Sequence, residues 1–375
     1  MDLHPTSFYV RELKPNLPPS AFAPAQSRLW WLPVHVSVVA LGILTLALSW
    51  VPGWLAPAIS LIVGSSCAGL TFLAHETLHG AVVRRRALRQ WVGRICFAPF
   101  MISPRLWIGW HNRVHHGHTN CPGTDPDAYP TVDEYAASRT VRIVTDRLGP
   151  GDNRITGVLS HLVGFSVQSA HMLAEASKRG ILSVREQRLA VFESGLMAAL
   201  WIAIGANIGW FAVVFGLLLP LVVANCIVMG FILTNHTLSP LTPVNDPLVN
   251  SLSVTAPRWV EWLTMGFGYH VEHHLFPWMS SRHAPRLRAL VRARWPERYQ
   301  AMPLALALLA VHRTGRVYTS ATTLSDVPGN THWTAILPRA KDTQSPAAEA
   351  AAAPERRRAA PLWMPLPGVA SDAGV

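Results

Sequence analysis

The sequence predicts an all-α integral membrane protein in which four transmembrane helices form two hairpins and a helical cap covers them on the cytosolic side. Two observations support this fold class. Half of the 375 residues are hydrophobic and only 14% are charged, whereas a typical soluble domain carries about 25% charged residues. In addition, two long segments, residues 29–75 and 194–245, contain no Asp, Glu, Lys or Arg.

Each uncharged segment is long enough for two spans, because one transmembrane helix needs about 20 apolar residues. The predicted spans are residues 30–50 and 55–74 in the first segment, and 190–208 and 211–233 in the second. Arginines flank both segments, whereas the intervening turns, WVPGWLAP and GANIGW, carry no charge. The positive-inside rule therefore places the flanks and both termini in the cytosol. A bacterial-type cell membrane is the expected location.

The remaining composition divides the chain into three parts. Residues 1–28 are predicted to be a cytosolic N-terminal leader, residues 29–318 a membrane domain with its cytosolic cap, and residues 319–375 an Ala/Pro-rich disordered tail. The net charge of +11 could indicate a nucleic-acid partner. Because the basic residues cluster beside the apolar segments, we expect a lipid bilayer as partner and no nucleic acid.

Histidines supply the main functional signal. Eight of the 17 lie in three short boxes, and a ninth lies at the end of the fourth predicted span. Box one is HETLH (His75, His79), box two is HNRVHH (His111, His115, His116), box three is HVEHH (His270, His273, His274), and the ninth residue is His236. If both hairpins open toward the cytosol, all nine emerge at the same membrane face. So many imidazoles at an apolar boundary are costly to desolvate unless a metal satisfies them.

Box one alone matches the HExxH pattern of zinc peptidases, in which Glu76 would activate a zinc-bound water. A catalytic zinc takes only three protein ligands plus water, so a peptidase would leave boxes two and three unexplained and remains a remote alternative. Eight or nine nitrogen ligands suit two metal ions instead, and imidazole binds iron, zinc and copper. A histidine-rich metal carrier would place polar residues inside the spans, which the uncharged segments contradict.

Four further residues are predicted to support the ligands. Glu76 and Glu272 lie between histidines of their boxes, where carboxylates can accept hydrogen bonds from imidazole N–H groups. Asn235 precedes His236 and is assigned the same supporting role. His118 lies two residues beyond box two and is left open as a ligand or as a supporting group.

The three boxes resemble those of the membrane fatty acid desaturase family, whose pattern is HxxxH, then HxxHH or HxxxHH, then HxxHH. The sequences GTDPDAY after box two and HLFP after box three are also similar to that family, and the resemblance covers about residues 30–318. It implies that the eight box histidines bind two iron ions between the hairpins and the cap. His236 is similar in position to a further histidine that many members use.

The resemblance implies O₂-dependent desaturation of a fatty acyl chain, with O₂ as co-substrate. The substrate would be an acyl lipid, an acyl-CoA or an acyl-carrier conjugate. No HPGG-like haem motif occurs, so electrons are expected from a separate ferredoxin or cytochrome b5-like donor. A lipid or carotenoid hydroxylase or ketolase of the same superfamily is the alternative, and it would add an oxygen atom instead of removing two hydrogens.

Overall fold

The computed structural model describes residues 2–327 and 329–338. Within them, four helices are long and apolar enough to cross a membrane, which confirms the four predicted spans. They are Gln26–Ala47, Gly53–Leu78, Val184–Asn207 and Gly209–His236. The second and fourth extend beyond their predicted ends, far enough to include His75 and His236.

The chain is mostly helical. In chain order the α-helices are α1 (Thr6–Leu13), α2 (Trp31–Ala47), α3 (Ala56–Leu78), α4 (Arg86–Phe97), α5 (Pro104–Trp107), α6 (Val132–Ala137), α7 (Arg139–Arg147), α8 (Val158–Glu175), α9 (Val184–Asn207), α10 (Gly209–Val213), α11 (Leu219–His236), α12 (Pro247–Asn250), α13 (Arg258–Leu263), α14 (His270–Leu275), α15 (Ala284–Arg294) and α16 (Leu304–Arg313). Two π-helical segments continue α5 and α10, at Ile108–His115 and Val214–Leu218.

Within the described residues, five short strands depart from the all-α prediction. Strand β1 (Ser253–Thr255) pairs in parallel with β2 (Ala301–Pro303). Strands β3 (Val317–Ser320), β4 (Thr323–Ser325) and β5 (His332–Thr334) form an antiparallel sheet. Each strand has only three or four residues, too few for a period-two pattern to be recognised in the sequence.

Helix α3 is the most buried of the apolar helices, and it packs against α2 and α11. Small residues allow this close approach. A Cβ atom on Gly64 would lie 2.5 Å from Cβ of Val223 and 2.7 Å from the carbonyl oxygen of Pro220, and one on Gly69 would lie 2.4 Å from Nε2 of His35. The small residues before box one therefore serve helix packing.

We expect the Gly64→Ala variant to lower the free energy of unfolding by roughly 1–3 kcal/mol, because the added methyl group collides with backbone and β-branched atoms of α11. Thermal unfolding of the detergent-solubilised protein measures this change. The matched control is Gly195→Ala in α9, where an added Cβ meets nothing within 4 Å. Equal melting temperatures for the two variants would contradict the packing role of Gly64.

The N-terminal leader is folded against the rest of the chain. Tyr9 and Leu13 of α1 are buried in one hydrophobic cluster with Val271 of α14 and Leu287 of α15. The Tyr9 hydroxyl donates to Asp246 Oδ1 at 3.0 Å, and Arg298 pairs with the same carboxylate at 2.7 Å. The leader is thus attached directly to the region of box three.

The expectation of a disordered tail from residue 319 onward needs correction. Strands β4 and β5 lie within this segment, and the Ile336 amide donates to the Leu238 carbonyl at 2.7 Å. Tyr318 and Leu324 are buried in a small hydrophobic cluster with Leu241. These long-range contacts fold residues 319–327 and 329–338 against the segment that follows α11. The remainder of the predicted tail, residues 339–375, lies outside the described residues.

Candidate metal centre

The structure brings all nine predicted histidines together, in two groups. In each group one nitrogen per ring lies within 4.8 Å of those of the other members. The five-histidine group consists of His75, His79, His111, His116 and His273, and the four-histidine group consists of His115, His236, His270 and His274. Every box contributes to the five-histidine group. The four-histidine group is buried throughout.

Helix ends position these side chains. Box one lies at the end of α3, and His236 is the last residue of α11. Box three opens α14, where His270 and His274 are four residues apart and so lie on one helix face. Box two lies on and just after the π-helical segment Ile108–His115. His115 belongs to the four-histidine group, whereas His111 belongs to the five-histidine group. π-helical turns are frequent at functional sites.

The spacing between ring nitrogens fits metal binding. In the five-histidine group, His111 Nε2 lies 3.0 Å from His75 Nε2 and 3.2 Å from His116 Nε2. In the other group, His270 Nε2 lies 3.0 Å from His274 Nε2. Two nitrogens that bind one ion at about 2.1 Å and at a right angle are about 3.0 Å apart.

One neutral imidazole carries a single N–H, so His111 Nε2 cannot satisfy two facing nitrogens by hydrogen bonding. In addition, His79 Nε2 is buried and has no hydrogen-bond partner among residues 2–327 and 329–338. A cation at the centre of each group would satisfy these lone pairs. The residues present therefore fit a two-metal site.

Three rings of the four-histidine group have a hydrogen-bond partner at Nδ1, on the side of the ring away from the other histidines. His115 Nδ1 donates to Asp125 Oδ1 at 3.0 Å. His236 Nδ1 lies 3.3 Å from the Asn250 carbonyl oxygen, and His274 Nδ1 lies 3.2 Å from Thr119 Oγ1. A proton fixed on Nδ1 leaves the Nε2 lone pair free to face a metal, which is the usual arrangement behind metal-bound histidines.

Burial keeps most of these rings neutral, which is the state that binds metals. It lowers the pKa of four imidazoles well below the usual value, and neighbouring imidazoles lower it further; these are His116, His270, His273 and His274. His115 differs. Burial lowers the pKa of its imidazole, but the Asp125 carboxylate has the larger combined effect and raises that pKa to about 9. The proton that a metal would displace from His115 is therefore the one on Nε2.

The two glutamates have different partners from those predicted. Glu76 Oε1 accepts from Ser280 Oγ at 2.6 Å and from the Ser281 amide at 2.8 Å. Glu272 accepts from Ser253 Oγ at 2.6 Å and from the Tyr299 hydroxyl at 2.6 Å, and Arg288 pairs with it at 2.8 Å.

These contacts correct the expectation that the glutamates accept from imidazole N–H groups. Glu76 ties α3 to the segment after box three, and Glu272 ties α14 to β1 and α15. A zinc peptidase would need the Glu76 carboxylate free to activate water. Its bonds to Ser280 and Ser281 disfavour that alternative.

The other two supporting residues are placed as follows. Asn235 is fully buried, and both polar atoms of its amide lack a hydrogen-bond partner within the described part of the chain. His118 is exposed and belongs to neither group; its Nδ1 lies 3.3 Å from the Val114 carbonyl oxygen. The structure therefore separates His118 from the other histidines of box two.

Asp125 is the main residue of the site that was not predicted from the sequence. Besides contacting His115, it accepts a hydrogen bond from the backbone N–H of Asn120 at 2.8 Å. Asp127 lies 3.4 Å from His115 Nδ1 and accepts from Trp110 Nε1 at 2.9 Å. Both carboxylates belong to the sequence GTDPDAY. Two acidic residues ten or so positions after a histidine box were the available signal.

A small apolar cavity adjoins both histidine groups. His75 and His111 of the five-histidine group and His236 and His270 of the four-histidine group reach its wall. Its apolar lining comes from helices α3, α5, α8 and α11 and from the segment before box three, namely Phe72, Trp107, Phe165, Val228, Ile232 and Phe267. A hydrocarbon chain that reached this apolar wall would lie beside both groups.

The chain is similar in sequence to a known protein family and to several known proteins. Residues 48–304 match the family described as fatty acid desaturase. The sn-1 oleoyl-lipid 12-desaturase of Arthrospira platensis is 25% identical over 265 residues, covering 67% of this chain and 73% of the relative. The protein of the same name from Synechocystis sp. is 26% identical over 279 residues, covering 71% and 76%.

A shorter match is to the sn-1 acyl-lipid omega-3 desaturase (ferredoxin) of Synechocystis sp., which is 28% identical over 129 residues, or 34% of this chain and 35% of the relative. The family match extends through all three histidine boxes and covers more than half of the chain. The chain belongs to the fatty acid desaturase family and is a membrane oxidoreductase of that type.

Proposed function

We propose that this protein is an O₂-dependent desaturase in which the nine histidines hold two iron ions and a fatty acyl chain is the substrate. Its four spans form two hairpins beneath a cytosolic cap, and both termini are cytosolic in a bacterial-type cell membrane. One observation supports the proposal above all others: two groups of converging imidazoles share the wall of one apolar cavity. When bound, the iron pair supplies O₂ activation and the removal of two hydrogens.

The residues of the chain determine which carbon atoms are exposed to that chemistry. Phe72 and Phe267 contact each other beside His75, with ring centroids 4.7 Å apart and planes tilted by 37°, and they form an apolar wall that excludes water. Asp127, which also lines the cavity, accepts from Trp110 Nε1 at 2.9 Å and from Gln168 Nε2 at 2.7 Å. Holding a flexible chain in one position relative to the reactive centre is worth several kcal/mol of the barrier in favourable cases, about 7–11 kcal/mol at most.

The names of the relatives favour particular partners. Two of them are named as oleoyl-lipid desaturases, which favours an acyl lipid over acyl-CoA or an acyl carrier. One is named with ferredoxin, which favours ferredoxin over a cytochrome b5-like protein as the separate electron donor. The bilayer that surrounds the spans would then supply the substrate.

Expression in a host of defined lipid composition tests the proposal. We expect new unsaturated fatty acids, each lighter by two hydrogens, and about two iron ions per purified chain. The measurements are mass spectrometry of extracted lipids and metal analysis. Products that gain one oxygen would favour the hydroxylase or ketolase alternative. One zinc ion per chain without new lipid products would contradict desaturation altogether.

A further inference from the structure

A second cavity lies beside the metal centre, at the other side of box one. We call it the arginine groove, with a volume of about 450 Å³. Its polar and aromatic lining consists of His79, Arg86, Arg89, Gln90, Asn112 and Trp278. It lies between the end of α3, the start of α4 and the π-helical segment of box two.

The groove offers donors and acceptors that lack partners. The ion pairs formed by the described residues include neither Arg86 nor Arg89. Gln90 Oε1 and Asn112 Oδ1 are buried and have no hydrogen-bond partner within residues 2–327 and 329–338. The Asn112 amide nitrogen donates to the Leu78 carbonyl at 3.1 Å, so its oxygen is the atom left to accept. A matching ligand carries both an anion and O–H donors.

The position of α4 relates the groove to the membrane surface. Leu88, Trp91 and Ile95 are exposed at 41%, 63% and 44%, and their spacing of three and four residues places them on one face of the helix. Arg86 and Gln90 lie on the opposite face. A helix of this kind lies in the interface with its apolar face about 5–10 Å into the boundary with the acyl chains. Another side of α4 is buried in the protein, so it is the groove-lining residues at its start that would lie level with the lipid headgroups.

We propose that the arginine groove binds the headgroup of a glycerolipid that carries a phosphate and free hydroxyls, as phosphoglycerol does. Arg86 and Arg89 bind the phosphate, and Gln90 and Asn112 accept from the hydroxyls. An acidic redox protein would also meet the two arginines, but it would not satisfy two buried amide oxygens. The small ligand is therefore favoured.

The groove and the apolar cavity share two elements. Leu78 and His79 line the groove and His75 lines the cavity, one helical turn away on α3. Likewise Asn112 lines the groove and His111 lines the cavity. A lipid bound by its headgroup would thus have its acyl chains beside the cavity. Only this last step, that the bound lipid is the substrate, rests on the proposed function.

The test is lipid binding by the purified iron-loaded protein, measured by calorimetry with short-chain phosphatidylglycerol and phosphatidylcholine. We expect wild type to prefer phosphatidylglycerol. The double variant Arg86→Gln, Arg89→Gln should bind it at least about 10-fold more weakly, since charge-assisted hydrogen bonds are lost. Gln90→Leu should weaken phosphatidylglycerol binding about 2- to 10-fold and leave phosphatidylcholine binding unchanged.

The matched control is Arg185→Gln, Arg188→Gln, which removes the same charge from two exposed arginines outside the groove and should bind like wild type. Equal binding by the two double variants would overturn the proposal. A second result would also overturn it. If the Arg86→Gln, Arg89→Gln variant bound lipid normally and lost turnover with the protein donor but kept it with a chemical reductant, the groove would be a docking site for the donor. Lipid binding without any unsaturated product would contradict the proposed function and leave the headgroup site intact.

Discussion

Replacing His236 by alanine is expected to reduce product formation at least about 100-fold, because removal even of an outer partner of a metal ligand typically costs 10- to 100-fold. His236 is one of four nitrogen donors in the four-histidine group, and its side chain is buried. We therefore also expect bound iron to fall from about two ions per chain toward one. Metal analysis of the purified variant and product analysis of the host lipids measure both effects.

His118→Ala provides the matched control. His118 follows the box-two histidines closely in sequence but is exposed and lies outside both groups, so this variant should retain wild-type iron and activity. If His118→Ala loses iron and His236→Ala keeps it, the division of the histidines into these two groups is wrong. The comparison thus tests the geometry of the centre and not merely its need for histidine.

Asp125→Asn is expected to lower iron affinity and product formation about 10- to 100-fold. The substitution preserves size but removes the negative charge that holds the Nδ1 proton of His115. It also weakens the bond that Asp125 accepts from the Asn120 amide. His115 would then lose its fixed orientation, and the four-histidine group would lose an aligned donor. Iron retained during dialysis against increasing chelator concentrations reports the change in affinity directly.

The control for that experiment is Asp133→Asn, which removes an equal charge from an exposed position on α6. Wild-type iron retention is expected for Asp133→Asn. Iron retention by Asp125→Asn equal to that of the control would contradict the role of Asp125 in holding His115. A lower melting temperature with unchanged iron affinity would likewise assign Asp125 to stability alone.

Local spacing explains what the sequence could predict of this molecule. His75 and His79, like His270 and His274, are four residues apart, and helical geometry alone puts each pair on one face. The uncharged segments give the spans through a length requirement that the bilayer imposes. Both signals lie within a few turns of chain, which is why they can be recognised without knowledge of tertiary contacts.

The features that the sequence did not reveal depend on distant contacts. The Asn250 carbonyl that faces His236 is a backbone atom, which no residue pattern marks. The serine partners of Glu76 lie 204 and 205 residues away, so its role could not be inferred from its position between two histidines. Likewise, residues 319–327 and 329–338 are ordered by contacts with the segment after α11 and not by their own composition.

The attachment of α1 to the region of box three affects the timing of biogenesis. Tyr9 is made early by the ribosome, but its partner Asp246 follows 237 residues later, which at 5–20 residues per second means a delay of roughly 12–50 s. Box three and Arg298 are translated later still. The nascent N-terminus must therefore wait unpaired while the spans enter the bilayer. A complete centre can consequently form only once translation has passed His274, in the last third of the polypeptide.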